Sequence, residues 1–198
     1  WGGPKMDEEF LGHAPVLRAV FYGAGSIKGI VTEAFWDRGI TITSAYGANA
    51  VPVAEYSLSQ ILFCLKHGWQ FARDVRRDRA WPTQRQSIPG CYGTTVGIVS
   101  LGMIGRIVCG MLSGFDVKVI AYDPFVSQAD ADELGVELCS LEDVFARSQV
   151  VSIHTPWLKE TEGLITGAHI ASMRDGACLI NTSRGAVIDE PEMIRVLQ

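Results

Sequence analysis

Apolar and polar positions change period along the chain, and the changes mark out elements. VLRAVFYG (16–23) is a short apolar run closed by Gly and reads as a strand. GIVTEAFWDRG (29–39) spaces its apolar residues as a helix does and stops at Gly39, and ITITSA (40–45) is a β-branched strand. Pro52 opens a helical stretch to about Arg77, in which Val53, Leu58, Ile61, Leu62, Leu65 and Trp69 recur at three and four and the end turns basic. At ~1.5 Å per residue it spans roughly 40 Å, the length of a bridge between domains or a dimer arm. WPTQRQSIPGCYGT (81–94) reads as a connector.

From Thr95 strand and helix alternate strictly. TVGIVS, VKVIAY (117–122), VVSIHTP and ACLINTS (177–183) are strands, nearly wholly apolar, as strands covered on both faces are. Between them lie the helical segments MIGRIVCGMLSGF, SQADADELG, LEDVFARS capped by Ser140, and GAHIASM capped by Thr166. Asp189 caps a last helix. This order implies an α/β fold, a doubly wound parallel sheet with right-handed crossovers.

Composition narrows the class. With 47% hydrophobic and 20% charged residues, the 198-residue chain can bury a real core in one or two domains. Its net charge of −5 argues against a nucleic-acid platform, and no apolar run approaches a membrane span. The five cysteines, Cys64, Cys91, Cys109, Cys139 and Cys178, are scattered without a C-x-x-C pair, which excludes a disulfide scaffold and suggests a reducing, cytoplasmic compartment. The four histidines show no metal-ligand spacing, so no metal is expected. The chain opens on Trp1 and closes on a helical pattern still running, and so reads as an internal piece of a longer polypeptide.

The most informative stretch is VGIVSLGMIGR (96–106) followed by VIAYD (119–123). A strand ends at Ser100 and a helix begins near Met103. Gly102 lets the backbone approach a pyrophosphate, Gly105 lets the helix pack tightly on the strand, and the first-turn amides, those of Met103 and Ile104 among them, attract the phosphates. Asp123 lies 18 residues beyond Gly105, where a carboxylate accepts both hydroxyls of an adenosine ribose. A 2′-phosphate about 5 Å from it would be repelled by roughly 3 kcal/mol at an effective dielectric near 20, so NAD is expected over NADP. Ser100 stands where the usual pattern has Gly, and we expect it to keep a negative φ. Without Asp123 and the flanking elements, the same turn would read as one that only packs.

GIVSLGMIGR, AYDP, IHTPW with Thr161, ANAVPVAEY and above all LINTSRGAVIDE resemble the NAD-dependent D-2-hydroxyacid dehydrogenase family, over residues 16 to 198. The resemblance implies a Rossmann cofactor domain and part of a second, flavodoxin-like substrate domain: residues 1–50 as the partial substrate domain, 51–94 as linking helix and connector, 95–198 as the NAD-binding domain. It implies hydride transfer between NAD(H) and a small D-2-hydroxy or 2-oxo acid, and a homodimer. Arg184 would be catalytic, binding the substrate carboxylate and polarising its carbonyl, a task suited to a guanidinium. Thr155, Pro156, Thr161, Thr182 and Ser183 would contact the cofactor. Ala24, Gly25 and Ser26 would hold the substrate carboxylate on backbone amides, against the plainer reading of a β–α turn. His154 is not read as a catalyst. The family's proton-donating His and its Glu partner lie downstream of this motif, and no residue here matches them, so these 198 residues alone are expected to be inactive. An NAD-sensing corepressor-like protein of the same superfamily is the alternative; a methyltransferase would not explain N-T-S-R-G.

Overall fold

The computed structural model describes residues 2–81 and 87–198. The connector read over 81–94 therefore falls in part, at 82–86, outside the described residues. The chain divides into two compact units, Trp1–Pro52 and Val53–Gln198.

The first unit contains α1 (Glu8–Gly12), β1 (Ala19–Tyr22), α2 (Glu33–Asp37) and β2 (Thr41–Ser44). β1 and β2 pair in parallel, Ala19 opposite Thr41 and Tyr22 opposite Ser44. Its core is small: Met6, Leu11, Ile30, Phe35 and Ile40. The helix expected over 29–39 is only the five residues of α2, because Thr32 takes the cap position and its hydroxyl accepts from the Phe35 amide, so the helix cannot begin earlier.

α3 (Tyr46–Leu65) and α4 (Gly68–Asp78) replace the single helix expected from Pro52 to Arg77. Two differences have physical causes. Pro52 lies inside α3 rather than opening it. The alanines before it are good helix formers, and Ala50 and Ala54 are buried, which offsets the carbonyl that Pro52 leaves without an amide partner. The break comes at His67, which is left-handed at φ 54°, while the Gly90 amide takes the Leu65 carbonyl at 2.9 Å and ends the helix. A Cβ at Gly68 would meet the ring of Phe63, which would have to turn aside to admit it.

The second unit continues with β3 (Thr94–Val99), α5 (Met103–Leu112), β4 (Val117–Tyr122), α6 (Gln128–Glu133), β5 (Glu137–Leu138), α7 (Leu141–Arg147), β6 (Val150–Ile153), α8 (Gly167–Ala171), β7 (Cys178–Asn181) and α9 (Glu190–Leu197). The five strands form one parallel sheet in the order β5-β4-β3-β6-β7, as strict alternation predicts. Residue parity shows the double winding. Val96, Ile98, Val119 and Ala121 pack in one cluster with Ala54, Ile61, Val108 and Leu112 of α3 and α5. Val99, Ile120, Val151 and Ile153 pack in another with Val144, Phe145 and Ile170 of α7 and α8. Successive residues of one strand thus enter opposite cores. The caps expected at Ser140 and Asp189 form, each accepting the backbone amide three residues on.

Candidate cofactor site

β3 and β4 end side by side, and the site grows from their C-terminal ends. Ser100 continues the ladder, its amide donating to the Tyr122 carbonyl at 2.8 Å. The chain must then turn within two residues so that Gly102, in extended conformation, can head α5. Ser100 makes that turn at φ 76°, which corrects the expectation of a negative φ. A side chain in this region costs about 1–2 kcal/mol. Ser is held there because its hydroxyl meets that of the buried Thr155 at 2.9 Å, across the ends of β3 and β6. The turn also determines Gly105, where a Cβ would overlap the Ser100 carbonyl oxygen.

Gly102 makes no side-chain cap, and a Cβ at Gly102 would meet nothing within 4 Å. The first amides of α5 thus lack helical acceptors and face open space, as an anion site requires. Asp123 is half-buried, and its carboxylate is anchored from both sides: one oxygen accepts from the Leu101 amide at 2.7 Å, the other from the Phe125 amide at 2.9 Å. Each oxygen retains a lone pair for a further donor.

These groups share a cavity of about 510 Å³ lined by Ser100, Leu101, Gly102, Asp123, Thr155, Pro156 and Thr161 together with Arg106 and Phe125. Five of the predicted cofactor contacts, Gly102, Asp123, Thr155, Pro156 and Thr161, line it, as does Ser100. Met103 and Ile104 belong to the first turn of α5, and Gly105 is buried beneath it. The Thr161 hydroxyl donates to the Pro156 carbonyl at 2.6 Å and accepts from the Leu158 amide at 2.9 Å, so it holds the loop that forms one wall. Arg106 escaped the sequence reading. Its side chain lines the cavity while its Nε donates to the Leu101 carbonyl at 2.9 Å, and its place directly after Gly105 was the available signal. The glycine turn, the open space above Gly102, the anchored carboxylate and a guanidinium fit a dinucleotide with its phosphates at the turn.

Thr182, Ser183 and Arg184 are not at this cavity. Asn181 shapes them: its side-chain oxygen accepts from the Ser183 amide and hydroxyl, and its amide donates to the Arg184 carbonyl. Arg184 is exposed, and its guanidinium donates to the neighbouring Ser183 carbonyl at 2.6 Å. The Thr182 hydroxyl lies 3.3 Å from His154 Nδ1 and 3.4 Å from that of Ser57. His154 is buried, with Nε2 3.0 Å from the Ser152 hydroxyl, and burial lowers its pKa to about 4. A neutral, enclosed imidazole suits a structural role. In the first unit, Ala24, Gly25 and Ser26 follow β1; the Ala24 carbonyl accepts from the Ala45 amide, and a Cβ at Gly25 would lie 3.2 Å from Asn49. Among the described residues no cluster of three or more His, Cys, Asp or Glu could hold a metal ion, and no helix is long and apolar enough to cross a membrane.

Comparison with known proteins agrees with this geometry. Residues 58–198 match the family model described as D-isomer specific 2-hydroxyacid dehydrogenase, NAD binding domain. D-3-phosphoglycerate dehydrogenase of Mycobacterium tuberculosis is 35% identical over 185 residues, covering 93% of this chain and 35% of the relative. The NAD-complexed D-isomer specific 2-hydroxyacid dehydrogenase of Lactobacillus delbrueckii ssp. bulgaricus superposes with a TM-score of 0.80 at 25% identity, over 100% of this chain and 60% of that one. D-lactate dehydrogenase of Aquifex aeolicus, complexed with NAD and lactic acid, gives 0.76 at 29% identity over 98% and 58%. The chain spans about a third of the length of the curated relatives it matches.

Proposed function

We propose that this chain, which belongs to the D-isomer specific 2-hydroxyacid dehydrogenase family and contains its NAD-binding domain, is part of a cytoplasmic oxidoreductase that interconverts a small D-2-hydroxy acid and its 2-oxo acid. The observation that carries the reading is the anchored Asp123 carboxylate facing the same cavity as the Gly102 turn. Bound NAD supplies or accepts the hydride. The chain's own residues do the rest. The amides of Met103 and Ile104 hold the phosphates, Gly102 admits them, and Asp123 accepts the ribose hydroxyls while rejecting a 2′-phosphate. Thr155, Pro156, Thr161, Thr182 and Ser183 flank the cofactor. Arg184 binds the acid and, as charge grows on the carbonyl oxygen, stabilises it. Ala24, Gly25 and Ser26 hold the substrate carboxylate. The proton donor and its carboxylate partner come from sequence beyond Arg184 that this chain does not supply. Residues 1–50 act as part of the substrate domain and 95–198 as the cofactor domain. Exposed Tyr56, Phe63 and Trp69 on α3 and α4 support a homodimer formed through this arm.

The test is the full-length protein with NADH and a panel of 2-oxo acids that includes the 3-phosphoglycerate-derived one, followed at 340 nm. Turnover that falls at least about a hundredfold in Arg184→Gln, with NADH affinity kept, is the expected result. NADH binding by residues 1–198 without turnover is expected as well. Equal affinity for NADH and NADPH overturns the assignment of Asp123.

A further inference from the structure

A second cavity, of about 610 Å³, lies between α3, α4 and β7; Thr182 at its edge is shared with the proposed cofactor contacts, and Tyr56 and Trp69 with the proposed dimer arm. Its lining contains two cysteines 114 residues apart in sequence: Cys64 on the last turn of α3 and Cys178 at the start of β7. Beside them stand Trp69, Gln70 and Arg73 of α4. We propose that Cys64 and Cys178 form a dithiol site for hydrogen peroxide, with Cys178 as the attacking sulfur and Cys64 as the resolving one.

The arrangement separates the roles. Cys64 is buried, at 6% exposure, while Cys178 is half-buried at the cavity wall. Cys64 and Cys178 line one cavity and pack in one apolar cluster, so the two sulfurs that would be joined share the same space. Gln70 lines the same cavity, and its buried side-chain oxygen has no partner. An unpaired buried carbonyl costs about 1–3 kcal/mol. The Arg73 guanidinium adds positive charge nearby. The neighbouring Cys64, Gln70 and Arg73 together lower the Cys178 thiol's pKa against its burial, whereas Cys178 and burial push that of Cys64 up. The other buried thiols lack this setting: burial alone raises Cys109 to about 12 and is the main cause raising Cys139.

The chemistry balances with peroxide as oxidant. The Cys178 thiolate attacks one peroxide oxygen; an S–O bond forms, the O–O bond breaks, and hydroxide leaves with the thiol proton as water. The Cys64 sulfur then attacks the Cys178 sulfenic acid; the S–S bond forms, the S–O bond breaks, and a second water leaves with the Cys64 proton. Two thiols and one peroxide become a disulfide and two waters. The new bond would tie α3 to the strand that leads into Thr182 and Arg184.

The test uses the full-length protein, treated with a small molar excess of hydrogen peroxide, alkylated, digested without reduction and mapped by mass spectrometry. A Cys64–Cys178 cross-linked peptide that vanishes on dithiothreitol treatment, with Cys91, Cys109 and Cys139 still alkylated, is expected. In Cys64→Ser, dimedone should trap Cys178 as the sulfenic acid; in Cys178→Ser, Cys64 should stay alkylatable. Arg73→Met should slow alkylation of Cys178 by about threefold or more. The proposal fails if Cys178 oxidises no faster than Cys139, or oxidises without joining Cys64. The cross-link map of the unsubstituted protein decides the matter even if a Ser variant misfolds, and it needs neither NAD binding nor turnover.

Discussion

β3 buries four successive residues, Val96 to Val99, whereas β1, an equally apolar AVFY, alternates exposed and half-buried positions and leaves Phe21 84% exposed. Both strands sit in parallel pairs. The difference lies in what covers them. β3 has α3 and α5 packed on one face and α7 on the other, while the outward face of β1 is bare among the described residues. Apolar sequence therefore states a demand for burial without stating what meets it. In the larger unit that demand is met on both faces, and the candidate cavity is built at the end of the strands where it is met most fully.

If this contrast is right, tolerance to substitution should differ sharply between the units. The largest effect is expected for Gly105→Val, whose Cβ would overlap the Ser100 carbonyl; a loss of about 4 kcal/mol or more in urea unfolding should result, against under about 1 kcal/mol for Gly23→Ala, where a Cβ meets open space. Equal losses would erase the contrast. Next comes pH. His154 stays neutral in the fold, with a pKa of about 4 against an ordinary 6.5, so the unfolded chain binds its proton first as pH falls. Its contribution is complete above pH 6.5 and disappears between 6.5 and 4, a loss of about 3 kcal/mol. His154→Gln should remove that part of the acid sensitivity, measured as the difference in unfolding free energy between pH 7 and pH 4.

A smaller effect is expected at the cavity itself. Asp123→Ala should weaken NADH binding by about tenfold to a hundredfold and narrow its lead over NADPH, read by fluorescence titration. The smallest belongs to the exposed strand: Phe21→Ser should change the unfolding free energy by no more than about 0.5 kcal/mol, whereas Val99→Ser should cost about 2 kcal/mol or more.

Much of this architecture was legible in the sequence because parallel strands covered on both faces write themselves as apolar runs. TVGIVS, VKVIAY, VVSIHTP and ACLINTS lie within three residues of β3, β4, β6 and β7 at either end. β5 was missed because it is two residues at the sheet edge, one of them Glu137, and carries no periodicity. The break at His67 was missed because the 3.6-residue pattern runs through it, and only Gly68 hinted at it. At the candidate site, the placement of the turn glycines and Asp123 was legible because it depends on local spacing. The φ of Ser100 was not, since Thr155, 55 residues away, is what makes it tolerable. The meeting of Cys64 with Cys178 lies equally beyond any local pattern.

Asp123 would serve two masters, for the carboxylate proposed to read the sugar also moors the Leu101 amide. A lineage drifting toward the phosphorylated dinucleotide could not simply discard this acid. It would have to give the loop another mooring first, or accept a looser mouth during the passage. On the proposed role of Asp123, cofactor preference is welded to the integrity of the turn, and redesign of one is redesign of the other.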